Sequence, residues 1–213
     1  IWKAIGALEQ DAANKLVKGA FDKGVTFIDT ADVYSNGLSE QVTGEAIKGL
    51  PRDELVIATK VFGRMGAYGG AQTPEAQRRY NNTNLWGLSR KHIMDSIEAS
   101  LKRLQIDHID LYQSHDDDPA TPLEDTLGTY ADLIRAGKVR AIGASNFTAA
   151  RLAQALDASE RHSLPRYETL QPLYNLVDRE PYEAELEPLV RARGVGVINF
   201  FGLARGFLTG KYR

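Results

Sequence analysis

The chain has 213 residues, of which 43% are hydrophobic and 25% charged, a composition typical of a globular domain. A net charge of -2 and the absence of any apolar run of about 20 residues argue against binding to nucleic acid or insertion into a membrane. Because the chain has no cysteine, disulfides and thiolate chemistry are excluded, and we expect a cytoplasmic protein.

Six short runs rich in β-branched and aromatic residues recur along the chain, at 25–29, 55–60, 108–115, 139–145, 168–172 and 195–201. They hold few charges, as expected for strands that are covered on both faces. Amphipathic stretches separate them, and one of these carries Leu127, Tyr130, Ala131 and Ile134 on a single helical face. Such alternation of strands and helices predicts a parallel sheet.

Two architectures contain such a sheet, an open doubly wound fold and a closed (β/α)8 TIM barrel. The doubly wound fold of nucleotide-binding proteins carries a glycine-rich turn after its first strand, and none is present. We therefore predict a barrel. Six runs are fewer than eight, and a complete barrel has about 250 residues. We expect residues 1–213 to be one incomplete barrel domain, with the first and last strands outside this sequence.

The segment 61–88, between the second and third runs, is too long for an ordinary connection. It is rich in glycine and asparagine, and its larger side chains include Phe62, Arg64, Arg78, Arg79 and Trp86. Long irregular insertions are often functional, so we expect a substrate loop with Phe62 and Trp86 as aromatic walls of a pocket. Packing of Trp86 at the start of the next helix is an equally good interpretation.

Polar or aromatic residues lie at or just beyond the end of each run, where the carboxyl ends of barrel strands form the catalytic rim. Each has an ordinary explanation by itself, such as a turn cap for Asp29 or a surface position for His115. Their common position predicts a site instead. The rim residues in chain order are Asp29, Tyr34, Lys60, His115, Ser145, Asn146, Gln171 and Phe200.

These residue types suit the reduction of a carbonyl, which requires a hydride on carbon and a proton on oxygen. A tyrosine hydroxyl supplies the proton, although an ordinary phenol has a pKa of about 10 and an ammonium must favour its ionisation. Lys60 is suited to that role, with Asp29 as its counterion. His115 is suited to donate a hydrogen bond to the carbonyl oxygen or to help move the proton.

Six motifs in this order resemble those of the aldo-keto reductase family, and they cover nearly the whole chain. They are Phe-Ile-Asp-Thr-Ala-Asp-Val-Tyr at 27–34, Thr-Lys at 59–60, Leu-Tyr-Gln-Ser-His at 111–115, Ile-Gly-Ala-Ser-Asn-Phe at 142–147, Gln-Pro-Leu-Tyr-Asn at 171–175 and Gly-Phe-Leu-Thr-Gly-Lys-Tyr at 206–212.

The resemblance implies an NADPH-dependent reductase of a small-molecule aldehyde or ketone. It implies a catalytic tetrad in which Tyr34 donates the proton and Asp29, Lys60 and His115 assist. It also implies the cofactor contacts: Ser145, Asn146 and Gln171 hold the nicotinamide carboxamide, Phe200 stacks on its ring, and the backbone of Phe201, Gly202, Leu203, Ala204 and Arg205 approaches the pyrophosphate with Lys211.

Two departures from the family pattern stand out. Phe201 and Gly202 occupy positions where serine and proline are common, so a hydroxyl contact to phosphate is missing and the charge of Arg205 is expected to compensate. Asp116 directly follows His115 and begins a run of three aspartates at 116–118. We expect Asp116 in the substrate pocket and an acidic wall on that side.

Other readings of the same residues stay open. Lys60 could form a Schiff base in an aldolase or lyase, although the carboxylate of Asp29 keeps a lysine protonated and argues against this. Some relatives of this fold are cofactor-sensing subunits bound to membrane channels. The four histidines show no paired spacing of metal ligands, so we predict no metal. Composition does not predict an oligomeric state.

Overall fold

The computed structural model describes residues 9–65 and 73–211. Three parts of the predicted loops lie outside the described residues: positions 66–72, the side chain of Arg79, and Tyr212. None of the helices in these two ranges combines the length and the apolar composition that a membrane span requires.

The described part of the chain forms six strands, all parallel and adjacent in chain order. They are β1 (Phe27–Asp29), β2 (Val56–Val61), β3 (Ile109–Ser114), β4 (Val139–Ser145), β5 (Tyr167–Gln171) and β6 (Gly196–Val197). The helices are α1 (Gln10–Phe21), α2 (Leu38–Ala46), α3 (Pro74–Tyr80), α4 (Arg90–Leu104), α5 (Leu123–Arg135), α6 (Ala149–His162) and α7 (Glu187–Arg193).

The sheet is strongly curled. In a flat sheet β1 and β5 would lie about 19 Å apart, because neighbouring strands are separated by about 4.8 Å. Instead, the side chain of Gln171 on β5 donates a hydrogen bond to Asp29 on β1 at 3.2 Å. The six strands therefore enclose a common interior with helices outside, which confirms the predicted architecture as a partial (β/α)8 barrel.

The last predicted strand is shorter than its sequence pattern indicates. The run 195–201 was expected to be regular, but β6 contains only Gly196–Val197. The backbone still follows β5 beyond it, since the amide of Phe200 donates to the carbonyl of Pro172 at 3.0 Å. The side chain of Asn199 donates to the carbonyl of Tyr174 at 2.7 Å, and this bond accompanies the end of regular pairing.

The segment 61–88 is less irregular than expected. Residues 74–80 form helix α3, which begins at a proline, and Thr83–Leu85 form a short 3-10 turn. Proline favours the first helical position because its fixed φ angle suits the helix and its missing amide is not needed there. The segment also closes on itself, because the amide of Gly87 donates to the carbonyl of Phe62 at 2.8 Å.

The core lies between the outer face of the sheet and the helices, and it includes a cluster of buried tyrosines. Tyr130 and Tyr167 are fully buried, and their hydroxyls meet the hydroxyl of Ser114 at 2.9 and 2.8 Å. The rings of Tyr112 and Tyr130 pack edge to face at 5.9 Å. Large rings thus fill the core, and the hydroxyl of Ser114 satisfies the polar ends of two of them.

The amino end of β3 carries a charged cluster that we expect to stabilise the fold. The carboxylate of Asp110, 8% exposed, accepts hydrogen bonds from Arg52 at 2.6 Å and the buried amide of Ile57 at 2.8 Å, and pairs with Arg140 at 3.0 Å. Asp110→Ala should lower the free energy of unfolding by about 2–3 kcal/mol, because these donors lose their acceptor. Urea denaturation measures the loss.

Asp132→Ala is the matched control for Asp110→Ala. Asp132 also pairs with two arginines, but the side chains of Arg90 and Arg135 are 58% and 75% exposed. Exposed pairs contribute little, so the control should change stability by less than about 0.5 kcal/mol. Equal effects of the two substitutions would contradict a structural role for the Asp110 cluster.

Candidate active site

The four predicted tetrad residues come from three neighbouring strands and converge at one end of the barrel. Asp29 is the last residue of β1, Lys60 is the penultimate residue of β2, and His115 directly follows β3. Tyr34 begins a short 3-10 turn after β1. Since parallel strands end on the same rim, the topology brings Asp29, Lys60 and His115 together, and the turn after β1 adds Tyr34.

The ammonium of Lys60 is the centre of this group. Lys60 is fully buried, and its Nζ donates to Asp29 Oδ2 at 2.7 Å and to the carbonyl of Thr30 at 2.8 Å. Its third neighbour is the hydroxyl of Tyr34, which it reaches at 3.4 Å. An ammonium has three donors, so Lys60 aims one toward each of these oxygens.

Two opposing effects act on Lys60. Burial lowers its pKa, while the adjacent carboxylate of Asp29 acts in the opposite direction, and the net shift is downward. The ion pair at 2.7 Å nonetheless favours the protonated lysine. A positive charge placed this close to a phenol stabilises the phenolate, as a tyrosine that releases a proton requires.

His115 lies beside Tyr34, with the two rings edge to face at 5.6 Å. Burial, together with the charge of Lys60, lowers the pKa of His115 to about 4. The imidazole is therefore neutral at neutral pH. A neutral ring is suited to donate a hydrogen bond to a substrate oxygen rather than to carry a proton to it.

The lowered pKa of His115 predicts a pH-dependent stability. The unfolded chain binds the proton near the ordinary value of 6.5 and the folded chain only near 4, so stability is lost as pH falls between them. The loss amounts to about 3 kcal/mol. His115→Gln should remove this part of the acid sensitivity, measured by urea denaturation from pH 7 to 4. Parallel curves for parent and variant would contradict it.

Asp29 is held by two amides that cross the barrel interior. Gln113 on β3 donates to Asp29 Oδ1 at 2.9 Å, and Gln171 donates to Oδ2 at 3.2 Å. Sequence reasoning missed Gln113 as a site residue. Its signal was available in the alternation of the strand, because it precedes His115 by two residues, and in the sheet it pairs in register with Lys60.

The predicted carboxamide-binding residues lie beside the tetrad and are also bonded within the protein. The hydroxyl of Ser145 donates to the carbonyl of Gln171 at 3.0 Å, and the side chain of Asn146 donates to the carbonyl of His115 at 2.9 Å. Asn146 has a φ of 58° and is exposed. The side-chain amide of Asn146 is thus fixed next to His115, while Ser145 and Gln171 are buried.

The loop after β6 carries the residues predicted to approach a pyrophosphate. Phe200 and Phe201 pack edge to face at 5.2 Å, and the guanidinium of Arg205 lies over the ring of Phe201 at 5.1 Å. Gly206 has a φ of 96°, and a Cβ there would lie 2.9 Å from Lys211 Nζ. The lysine thus packs over bare backbone, and two cations flank this loop.

Gly202 and Leu203 are exposed in the same loop, and Ala204 is half-buried. Phe201, Ala204 and Arg205 all adopt left-handed backbone conformations, with φ between 47° and 55°. Such a backbone, bordered by cations, matches the donor chemistry that binds phosphate. This loop therefore fits a pyrophosphate group, and the wider cofactor site stays a prediction.

The two predicted aromatic walls are in contact with each other. Phe62 and Trp86 pack edge to face at 5.9 Å, and the guanidinium of Arg64 lies over the indole at 4.7 Å. Both rings are half-buried. Trp86 therefore packs against the end of β2, and whether the pair also contacts a substrate stays a prediction.

The acidic run is less acidic than its sequence indicates. Asp117 pairs with Arg151 at 2.8 Å. Asp118 is buried and accepts from the amide of Leu88 and the hydroxyl of Thr121, each at 2.8 Å, so it fastens the segment 61–88 to the rim. Asp116 follows His115 and is exposed. The partial loss of hydration at this position raises the pKa of its carboxyl. The expected wall of three charges is thus wrong, because two of them have structural partners.

The fold and its rim define a (β/α)-barrel protein with a tyrosine, lysine, histidine and aspartate site. The aldo/keto reductase family model matches residues 2–213, and the chain belongs to that family. The resemblance predicted from the motifs is confirmed. Among residues 9–65 and 73–211, no group of three or more potential ligands is arranged to hold a metal ion.

Several curated relatives are similar over nearly all of this chain. It is 39% identical to a Schizosaccharomyces pombe protein named as a voltage-gated potassium channel subunit beta, covering 92% of this chain and 54% of the relative. It is 37% identical to aldo-keto reductase YhdN of Bacillus subtilis, covering 97% and 56%. A similarly named channel subunit of Arabidopsis thaliana is 36% identical, covering 99% and 61%. The chain thus spans between half and two thirds of these relatives.

Proposed function

We propose that this protein reduces an aldehyde or ketone to an alcohol with NADPH, and that Tyr34 donates the proton. The observation that carries the proposal is the position of Lys60. Its buried ammonium is bonded to Asp29 at 2.7 Å and directed at the hydroxyl of Tyr34 at 3.4 Å. A phenol with an ammonium beside it is an acid suited to a carbonyl oxygen.

The chain's own residues divide the work as follows. Tyr34 releases its proton to the carbonyl oxygen, and the ammonium of Lys60 stabilises the phenolate that remains. Asp29 keeps Lys60 in place, and Gln113 and Gln171 keep Asp29 in place. His115, neutral at working pH, donates a hydrogen bond to the same oxygen and so orients the substrate.

We assign the cofactor contacts to residues on the same rim. Asn146, with Ser145 and Gln171 beneath it, would hold the carboxamide, and Phe200 would stack on the ring. The exposed backbone of the loop after β6 would approach the pyrophosphate, and the positive charges of Arg205 and Lys211 would attract it. When bound, the reduced nicotinamide supplies the hydride that the carbonyl carbon accepts.

The proposed substrate is a small-molecule carbonyl compound. Phe62 and Trp86 supply aromatic surface near the end of β2, and Asp116 supplies a carboxyl beside His115. Aromatic walls with a few polar groups are typical of small-molecule pockets. We place the protein in the cytoplasm and propose no contact with nucleic acid or membrane.

A second function is favoured by a specific finding, the similarity to proteins named as potassium channel beta subunits. In this alternative the same rim binds the cofactor, and the protein acts as a cofactor-sensing regulatory subunit of a partner. Turnover would then be slow or absent while the cofactor still binds tightly.

Fluorescence titration of the full-length protein with NADPH and NADH, followed by cofactor absorbance with a panel of aldehydes and ketones, tests both functions. Saturable binding with turnover supports the reductase and identifies its cofactor and substrate class. Tight binding without turnover on any compound supports the regulatory subunit. If the folded protein binds neither cofactor, both are overturned, and chemistry at Lys60 by a Schiff base becomes the leading alternative.

A further inference from the structure

Asp32 is a buried acid that the proposed chemistry does not use. It lies between Asp29 and Tyr34 in the loop after β1, and it is 2% exposed. Its backbone amide approaches the carbonyl of Lys60 at 3.4 Å. Among the described residues its Oδ1 has no hydrogen-bond partner, although it is shielded from solvent. The fold therefore holds a second buried carboxyl in the loop that connects Asp29 to Tyr34, next to the strand that carries Lys60.

The groups around Asp32 do not supply it with a counterion of its own. Glu40 on α2 is fully buried, accepts a hydrogen bond from Thr59 at 2.7 Å and pairs with Arg103 on α4 at 2.6 Å. The charge of Arg103 is thus already matched by Glu40. Thr59 precedes Lys60, so this pair packs against the strand that carries the catalytic ammonium.

The remaining charged and titratable neighbours do not provide Asp32 with a counterion either. A cavity of about 150 Å³ is lined by Asp32 and Arg103 together with Arg64, His92 and Asp95. Burial lowers the pKa of His92, so that ring is neutral, and Asp95 is 58% exposed and pairs with Lys91. Arg64 stacks on Trp86, and the further neighbours Tyr112 and Tyr130 stay protonated because burial raises their pKa values.

Burial is the largest cause that raises the pKa of Asp32, to about 8, and the charge of Glu40 adds to it. Asp32 is therefore neutral below that pH and negative above it. The same charge acts on Lys60, where it favours the protonated ammonium. Ionisation of Asp32 thus changes the field at the tetrad without any contact with a substrate.

We propose that Asp32 is a positioning residue that acts on the tetrad through its charge. When Asp32 is ionised, its negative charge favours the protonated forms of Lys60 and of the Tyr34 hydroxyl. This inference rests on the proposed function for its catalytic meaning. In the reducing direction the extra negative charge keeps Tyr34 in its acid form at alkaline pH. In the reverse direction it delays the appearance of the phenolate that an alcohol would need as base.

The titration of Asp32 is tested first by stability, without cofactor or substrate. The folded protein keeps this proton up to about pH 8, whereas the unfolded chain loses it near the ordinary value of 3.8. Stability should therefore fall as pH rises through that window. In Asp32→Asn this part of the fall should disappear, so the urea midpoint of the variant should exceed that of the parent at pH 8.5.

Asp95→Asn is the matched control, because it removes a carboxyl from the same cavity that is exposed and already paired. It should keep the pH dependence of the parent. The same dependence in the parent and in Asp32→Asn would overturn the proposal at its first step. Asp32→Ala supplies the comparison with a different side chain if the asparagine variant does not fold.

The coupling to the tetrad is tested by tyrosine Cζ nuclear magnetic resonance on ¹³C-labelled protein. The Tyr34 signal is assigned by its loss in Tyr34→Phe. In Asp32→Asn its ionisation midpoint should lie lower than in the parent by about half a pH unit or more. An unchanged midpoint would overturn the coupling, even where stability shows that Asp32 titrates. Neither the urea denaturation nor the resonance titration needs turnover. A failure of the proposed function can therefore be distinguished from a failure of this inference.

Discussion

Tyr34→Phe should lower kcat/KM for carbonyl reduction by about 1,000-fold, within the range that loss of a general acid produces. Only the hydroxyl is removed, and the ring can still pack edge to face on His115. Affinity for the cofactor should change little, because the residues proposed to hold it lie on other strands. Steady-state kinetics and a fluorescence titration of the same preparation measure the two effects together.

Tyr112→Phe is the matched control for that substitution. Tyr112 is fully buried in the core, and within the described residues its hydroxyl has no hydrogen-bond partner. Removing a buried unpaired hydroxyl is close to neutral or stabilising, so the control should keep full activity. If Tyr34→Phe reduces the carbonyl as fast as this control does, Tyr34 is not the proton donor.

Lys60→Met should produce the second large loss, a fall in kcat of about 100-fold or more, as expected when a group that stabilises developing charge is removed. The hydroxyl of Tyr34 loses the ammonium at 3.4 Å, and Asp29 loses its partner at 2.7 Å. The phenolate formed by proton donation is then no longer stabilised by a neighbouring charge. Stopped-flow measurement of the chemical step separates this effect from substrate binding.

Lys60→Met should also destabilise the protein. Removing one partner of a buried ion pair leaves the carboxylate of Asp29 without a cation, so the free energy of unfolding should fall by about 3 kcal/mol. Lys48→Met is the control, because Lys48 forms an exposed pair with Glu45 and lies outside the site. Its activity should match that of the parent.

The same variant decides whether Lys60 acts as a nucleophile. A Schiff base needs a neutral amine, and burial does lower the pKa of Lys60, but the carboxylate of Asp29 favours the ammonium. We expect no covalent adduct when the parent is treated with a carbonyl compound and borohydride. An adduct found on Lys60 by mass spectrometry, and absent from Lys60→Met, would replace the reductase by the aldolase or lyase alternative.

Much of the fold was predictable because parallel strands that are buried on both faces leave a strong local signal. The run 139–145 coincides with β4. The curl of the sheet could not be predicted from local sequence patterns, because it depends on long-range contacts such as that between Asp29 and Gln171 across the interior. Helix α3 was missed because its short helical signal, beginning at Pro74, lies in a segment dominated by glycine and asparagine.

The convergence of the four predicted tetrad residues was predictable because Asp29, Lys60 and His115 each end a strand-like run. Tyr34 lies shortly after the first run, so position on the chain fixes position on the rim. Contacts between distant segments were not. Gln113 and Asp29 are 84 residues apart in sequence, and their bond depends on barrel curvature. In the sequence Asp32 is only one residue of a motif. Its ionisation depends on its burial and on the pairing of Glu40 with Arg103, which the sequence does not show. The roles of Asp117 and Asp118 likewise required the positions of their partners.

The most direct test of the central claim is a single turnover with NADPH deuterated at the transferred position of the nicotinamide. The protein is mixed with this cofactor and with the best carbonyl compound of the panel, and the alcohol is analysed by mass spectrometry. We predict one deuterium on the carbinol carbon, with the proton on oxygen taken from the protein or solvent. An alcohol without deuterium, or no alcohol although the cofactor is bound, would contradict hydride transfer at this rim.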